Sequence, residues 1–157
     1  MSQESVARYL SKQKFFSGLD PDLVDFIATC ASEEHLERGA VLFQHGQRAR
    51  SFYLLRSGRI TIESPAIEGP SLEVQSLGPG MILGWSWLIA PYKWSFQARA
   101  EEPTDLIEFD GKAILDRCDK EPQFGYALLK RFSALMSERL EASRQKMMEE
   151  WNPQGFA

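Results

Sequence analysis

Hydrophobic and polar positions change period twice along the chain. Residues 5–11 and 20–31 follow a helical spacing and predict two short helices, the second capped by Asp20 with Pro21 at its first helical position. Leu23, Val24, Ile27 and Ala28 share one face of that second helix, so it packs against a core. From His35 onward the pattern shortens. Residues 40–43, 51–55, 59–63, 72–75, 96–100 and 106–109 are brief apolar-rich runs. They are bounded by Gly39, Gly46, Gly58, Gly69-Pro70, Gly78-Pro79-Gly80, Pro103 and Asp110-Gly111. Strand-length runs punctuated by turn formers at this spacing predict a sandwich or barrel.

After Gly111 the helical period returns, predicting a short helix over 112–118 and a long one over 121–151. Phe124, Leu128, Phe132, Leu135 and Ala142 form a stripe down the long helix. At 1.5 Å per residue, roughly 30 residues extend about 45 Å, more than one small core covers, so the far end is expected to meet a partner. Lys130, Arg131, Glu138, Glu141, Arg144, Lys146 and Glu149 give its other faces mixed charge. The remaining segment after Trp151 is expected to be loose.

Composition sets bounds on this picture. With 157 residues the chain is expected to be one domain over 1–157, with helices at about 5–31, a β unit at about 35–110 and helices at about 112–151. Hydrophobic residues at 43% and charged residues at 25% are ordinary for a globular protein. No apolar stretch approaches the roughly 20 residues that span a bilayer, and residues 1–10 lack signal-peptide order, so a cytoplasmic location and no membrane partner are expected. Net charge is −4 and no basic helix stands out, which argues against nucleic acid as a partner. Cys30 and Cys118 have no paired or metal-ligand spacing, and His35 and His45 have none either. Neither a nucleophile elbow nor a phosphate loop is present. No catalytic, metal or fixed-cofactor constellation emerges, and the chain is expected not to be an enzyme.

Several glycine-punctuated segments carry a family likeness: Arg38-Gly-Ala-Val-Leu-Phe-Gln-His-Gly46, Phe52-Tyr-Leu-Leu-Arg-Ser-Gly-Arg-Ile60, Leu77-Gly-Pro-Gly80, Gly84, and Ala98 to Glu101. In these the chain resembles the cyclic-nucleotide-binding domain of catabolite-activator-type regulators, kinase regulatory subunits and gated channels. The resemblance implies an α+β, mainly β fold: a jelly-roll-like β-roll (double-stranded β-helix) of eight strands, with N-terminal helices, a short hinge helix and a long C-terminal helix. It also implies a phosphate-binding cassette, in which a glutamate holds the ribose and an arginine the phosphate.

Here that cassette is altered. Gly84 is kept, but the glutamate position holds Trp85 and the arginine position holds Tyr92, with Lys93 beside it. A bidentate arginine-phosphate contact is worth a few kcal/mol, so losing both anchors predicts that cyclic AMP and cyclic GMP are not bound in the usual way. Trp85, Trp87, Tyr92 and Trp94 lie within ten residues of one another. They could fill the emptied pocket, cage a flat or cationic ligand with Ser86, Lys93 and Ser95 as polar contacts, or form a docking surface. In dimeric relatives, polar residues of the long helix reach the ligand, which places Arg139 and Ser143, with Arg144, among the candidates. Arg139 has a simpler alternative as a surface residue paired with Glu138 or Glu141. These residues predict a stand-alone sensory module for a nucleotide or other small molecule, paired as a homodimer through the long helix and acting on a protein partner. The rival is a ligand-free interaction scaffold on the same fold.

Overall fold

Side-chain caps set where the N-terminal helices begin. Helix α1 (Gln3–Ser11) follows Ser2, whose hydroxyl accepts the Ser5 amide at 3.2 Å. Helix α2 (Pro21–Thr29) follows Asp20, whose carboxylate accepts the Asp22 amide at 2.8 Å. The computed structural model describes residues 2–65 and 72–150. The expected turn at Gly69-Pro70 and the segment from Trp151 onward lie outside them.

Helix α2 stops two residues earlier than its apolar pattern suggested, because Ala31 already opens strand β1 (Ala31–Leu36). That strand was not legible from side-chain alternation, since Ser32, Glu33, Glu34 and His35 are all exposed. It forms by backbone pairing with β8 (Thr104–Asp110), from Ala31 opposite Phe109 to Leu36 opposite Thr104. Its charged side chains suit an edge strand, where they discourage pairing with another chain.

The other strands are β2 (Val41–Phe43), β3 (Ser51–Ser57), β4 (Ile60–Ser64), β5 (Leu72–Leu77), β6 (Ile82–Leu83) and β7 (Gln97–Ala100). They form two four-stranded antiparallel sheets, ordered β1-β8-β3-β6 and β2-β7-β4-β5. This is the expected β-roll. The tight turn from β3 to β4 depends on Gly58. Its φ is +90°, and a Cβ there would sit 2.3 Å from the Thr104 hydroxyl oxygen.

Aromatic packing joins the roll to the C-terminal helices α3 (Gly111–Lys120) and α4 (Pro122–Glu150). The Phe52 ring stacks between Phe109, at 4.5 Å, and Trp87, at 5.0 Å, while Phe132 of α4 meets it edge-on at 5.2 Å. On α4 the buried stripe is Phe124, Leu128, Phe132, Leu135 and Arg139. The apolar stripe expected to continue to Ala142 does not: Ala142 is exposed, and the inward row ends in a cation.

Polar straps hold α4 to the edge strand β5. The Gln75 amide donates to the Arg139 carbonyl at 2.9 Å and to the Ser143 hydroxyl at 3.2 Å, and Lys146 donates to the Glu73 carbonyl at 2.9 Å. Among the described residues no helix is long and apolar enough to cross a membrane.

Candidate functional site

Between the β2-β7-β4-β5 sheet, the segment around Gly84 and α4 lies a cavity of about 340 Å³, at the lower end of the usual range for small-molecule sites. Phe43, Ile62, Val74 and Leu83 contribute apolar wall from the strands. Trp85, Trp94 and Phe96 add aromatic surface, while Met136 and Leu140 close it from α4. Polar groups are few: Gln75, Ser86, Ser95, Arg139 and Ser143.

Of the residues the sequence singled out, Gly84, Trp85, Ser86, Trp94, Ser95, Arg139 and Ser143 line this cavity. Trp87, Tyr92 and Lys93 do not. The aromatic cluster divides according to what the backbone does on either side of it. Trp87 turns into the core, 2% exposed, with its indole N–H donating to the Gly84 carbonyl at 3.2 Å and its ring edge-on to Phe132 at 5.3 Å. Tyr92 sits in a turn at φ +58° and is 40% exposed. Its carbonyl accepts the Ala49 amide at 2.7 Å, so the turn is fixed, and Tyr92 is not part of the cavity wall. Lys93 is exposed and follows that turn in an isolated antiparallel bridge with Arg48. It therefore supplies no charge in place of the family's arginine.

Trp94 is the aromatic residue that shapes the cavity. Its backbone is pinned on both sides, its amide donating to the Gln47 carbonyl at 2.9 Å and its carbonyl accepting from Gly46 at 2.8 Å. The indole lies flat on Phe43, with ring centroids 3.7 Å apart and planes 8° from parallel. Its six-membered ring approaches Gly84 so closely that a Cβ there would come within 2.7 Å of Cη2. The retained glycine thus has a local steric reason: φ is +102° and the indole occupies the space a side chain would need.

Arg139 is the main correction. Instead of pairing at the surface with Glu138 or Glu141, it is 8% exposed. Glu141 bonds Arg144, which is itself exposed, at 2.8 Å. The Arg139 guanidinium donates through Nη2 to the Ile82 carbonyl at 2.5 Å, and among the described residues no carboxylate forms an ion pair with it. Burial pushes its pKa down to about 10, opposed by the nearby Glu138 charge, so the group stays cationic at neutral pH. A second cation about 4 Å away would be repelled by roughly 4 kcal/mol at an effective dielectric near 20, which argues against a cage for a cationic ligand.

Phe43, Ile62, Val74, Gln75, Leu83, Phe96, Met136 and Leu140 also line the cavity and escaped sequence reasoning. An inward apolar position on a strand reads the same whether it faces core or cavity. Gln75 carried the one usable signal, a polar residue inside a β run.

Comparison with known proteins accords with this architecture. The family model described as cyclic nucleotide-binding domain matches residues 33–121. A cyclic nucleotide-binding domain from Methylobacillus flagellatus superposes with a TM-score of 0.79 at 18% identity, covering 98% of this chain and 86% of that one. The sensor domain of the transcriptional regulator DNR from Pseudomonas aeruginosa gives 0.71 at 20% identity, covering 99% and 97%. Glutaminase 2 from Bradyrhizobium diazoefficiens is 24% identical over 92% of this chain, which spans only 22% of that protein's length. By the extent of the family match and the roll that carries it, the chain belongs to the cyclic nucleotide-binding domain family.

Proposed function

We propose that this chain is a non-enzymatic sensory module, cytoplasmic and folded as a single domain, whose ligand is a small molecule held otherwise than the family's cyclic nucleotides. The observation that carries this is the cavity of about 340 Å³ walled jointly by the roll and by α4. A ligand there touches the element that would report its presence, so occupancy and helix position are linked directly. The glutamate and arginine positions of the family cassette hold Trp85, at the cavity wall, and Tyr92, outside it. That substitution supports a ligand other than cyclic AMP or cyclic GMP.

A thermal-shift screen of nucleotides and small metabolites tests the sensor. Binding to the native state stabilises by about 2.7 kcal/mol at a ligand concentration of 100 Kd. Reproducible stabilisation by one compound class supports sensing, while a flat response across the screen favours the ligand-free scaffold. Micromolar binding of cyclic AMP by calorimetry would refute the altered ligand choice.

The same module is proposed to pair with a second copy through α4. Tyr126, Leu129, Ser133, Met136, Leu140, Ser143 and Met147 follow alternating spacings of three and four, the seam of a two-stranded coiled coil. Tyr126, Leu129, Leu140 and Met147 are exposed on the isolated chain, Leu140 by 73%. Leu140→Glu is expected to convert dimer to monomer in light scattering. A wild-type monomer at high concentration would remove this part of the proposal. A ligand-dependent change in the helix pair would then be available to a protein partner or to an attached effector.

A further inference from the structure

Resting on the sensor reading, we infer that Arg139 is an anion anchor, and that the cavity takes a flat aromatic monocarboxylate with its carboxylate on the guanidinium and its ring against Trp94 and Phe96. The buried guanidinium donates to the Ile82 carbonyl, and with five N–H donors it has others to spare. A neutral carbonyl satisfies a donor but does not neutralise a charge. Leaving a buried cation without an opposite charge is costly, and a planar carboxylate matches the guanidinium fork at two points.

Net charge at the cavity narrows the class. Among the described lining residues Arg139 is the one cation, since Lys93 lies outside the wall and Lys146 is engaged with the Glu73 carbonyl. One fixed positive charge suits one negative charge; a phosphate monoester dianion would leave a second charge in an apolar enclosure. The walls decide the rest. A sugar or an open-chain polyol needs many polar partners, whereas most of this lining is aliphatic or aromatic. The Trp94 indole, held against Phe43 at 3.7 Å, and Phe96 contribute rigid aromatic surface to that lining.

The test uses the full chain and matched probes: benzoate and 2-naphthoate, their neutral amides, and 2-naphthylmethylamine as the cation. Binding is measured by calorimetry and by NMR shifts of the tryptophan indole N–H signals. The expected result is carboxylate binding at least tenfold tighter than the amide, and no binding of the amine. In Arg139→Met, which keeps an apolar side chain of similar length, the carboxylate should lose that advantage while the amide still binds. Arg139→Lys should keep part of it, as charge without the planar fork, and guards against a folding defect in the methionine variant. Equal affinity of acid and amide, or a preference that survives in Arg139→Met, would overturn the anchor while leaving the cavity reading intact. Failure of every aromatic probe, amides included, would overturn the open cavity and the inference with it.

Discussion

Replacing Gly84 with alanine should destabilise the protein by more than a turn glycine ordinarily costs. Two contributions add. At φ +102° a residue with a Cβ is strained by about 1–3 kcal/mol. The new methyl would also stand 2.7 Å and 2.9 Å from two carbons of the Trp94 indole, and overpacking of that kind costs typically about 1–3 kcal/mol more. The stack on Phe43, with centroids 3.7 Å apart, and the two backbone hydrogen bonds of Trp94 limit how far the indole can move to relieve this. The sum is roughly 2–6 kcal/mol, a large share of the 5–15 kcal/mol that holds a domain together. Gly46→Ala supplies the control, since its φ is +88° but no atom lies within 4 Å of the added Cβ. Urea unfolding followed by far-ultraviolet circular dichroism, with equal m-values, gives both differences. If Gly84→Ala costs no more than Gly46→Ala, the close approach of Trp94 is not what the glycine serves, and the account of this wall fails.

The division of the aromatic cluster has its own test: Trp87→Ala should cost about 3–5 kcal/mol in urea unfolding, as for other buried aromatic deletions. By contrast, Tyr92→Ala should stay within about 0.5 kcal/mol as a surface change, and comparable losses at both positions would contradict it. At the β1–β8 edge, His35 Nδ1 meets Asp105 at 2.7 Å and Nε2 meets Glu37 at 3.0 Å. The Asp105 bond, then the Glu37 bond, raise the His35 pKa, and His35, then Ser57, lower that of Asp105. The histidine's contribution is full below its free value of 6.5 and lost as pH rises through its folded pKa. The aspartate's is present above its free value of 3.8 and lost as pH falls through its folded pKa. The pair should therefore contribute fully between those two free values. Asp105→Asn should lower the His35 midpoint in an NMR titration, and an unchanged midpoint would refute the contact.

Much of the roll was legible because turn chemistry repeats. Gly58, Gly78-Pro79-Gly80 and the runs between them mark strand ends without any knowledge of the core. Strand β1 was not legible, since Ser32 to His35 are all exposed and owe their conformation to a partner some 70 residues away in sequence. Periodicity measures burial, and an edge strand held by backbone bonds escapes it. The site was legible only in part for a related reason. Gly84 and Trp94 lie in a segment whose composition was conspicuous, so both were found. Arg139 was named as a candidate, yet its acidic neighbours made surface pairing the simpler account. Helical geometry decided otherwise: Arg139 lies four residues after Leu135, on the inward row, whereas Glu138 and Glu141 lie off that row and are exposed.

That placement also links the pocket to the helix. Arg139 holds the Ile82 carbonyl of β6 with its guanidinium, while its own carbonyl is held by Gln75 of β5. One residue of α4 therefore ties the helix to both sheets beside the cavity. A carboxylate on the spare donors leaves the Ile82 bond in place, whereas one that displaced that bond would alter how α4 seats on the roll. The next residue, Leu140, lines the cavity and lies on the proposed coiled-coil seam. A shift at the anchor would thus reach the dimer contact through adjacent residues of one rigid helix. No longer path through the sheets is required, and the ligand's differential contact with Arg139 would set the size of the shift.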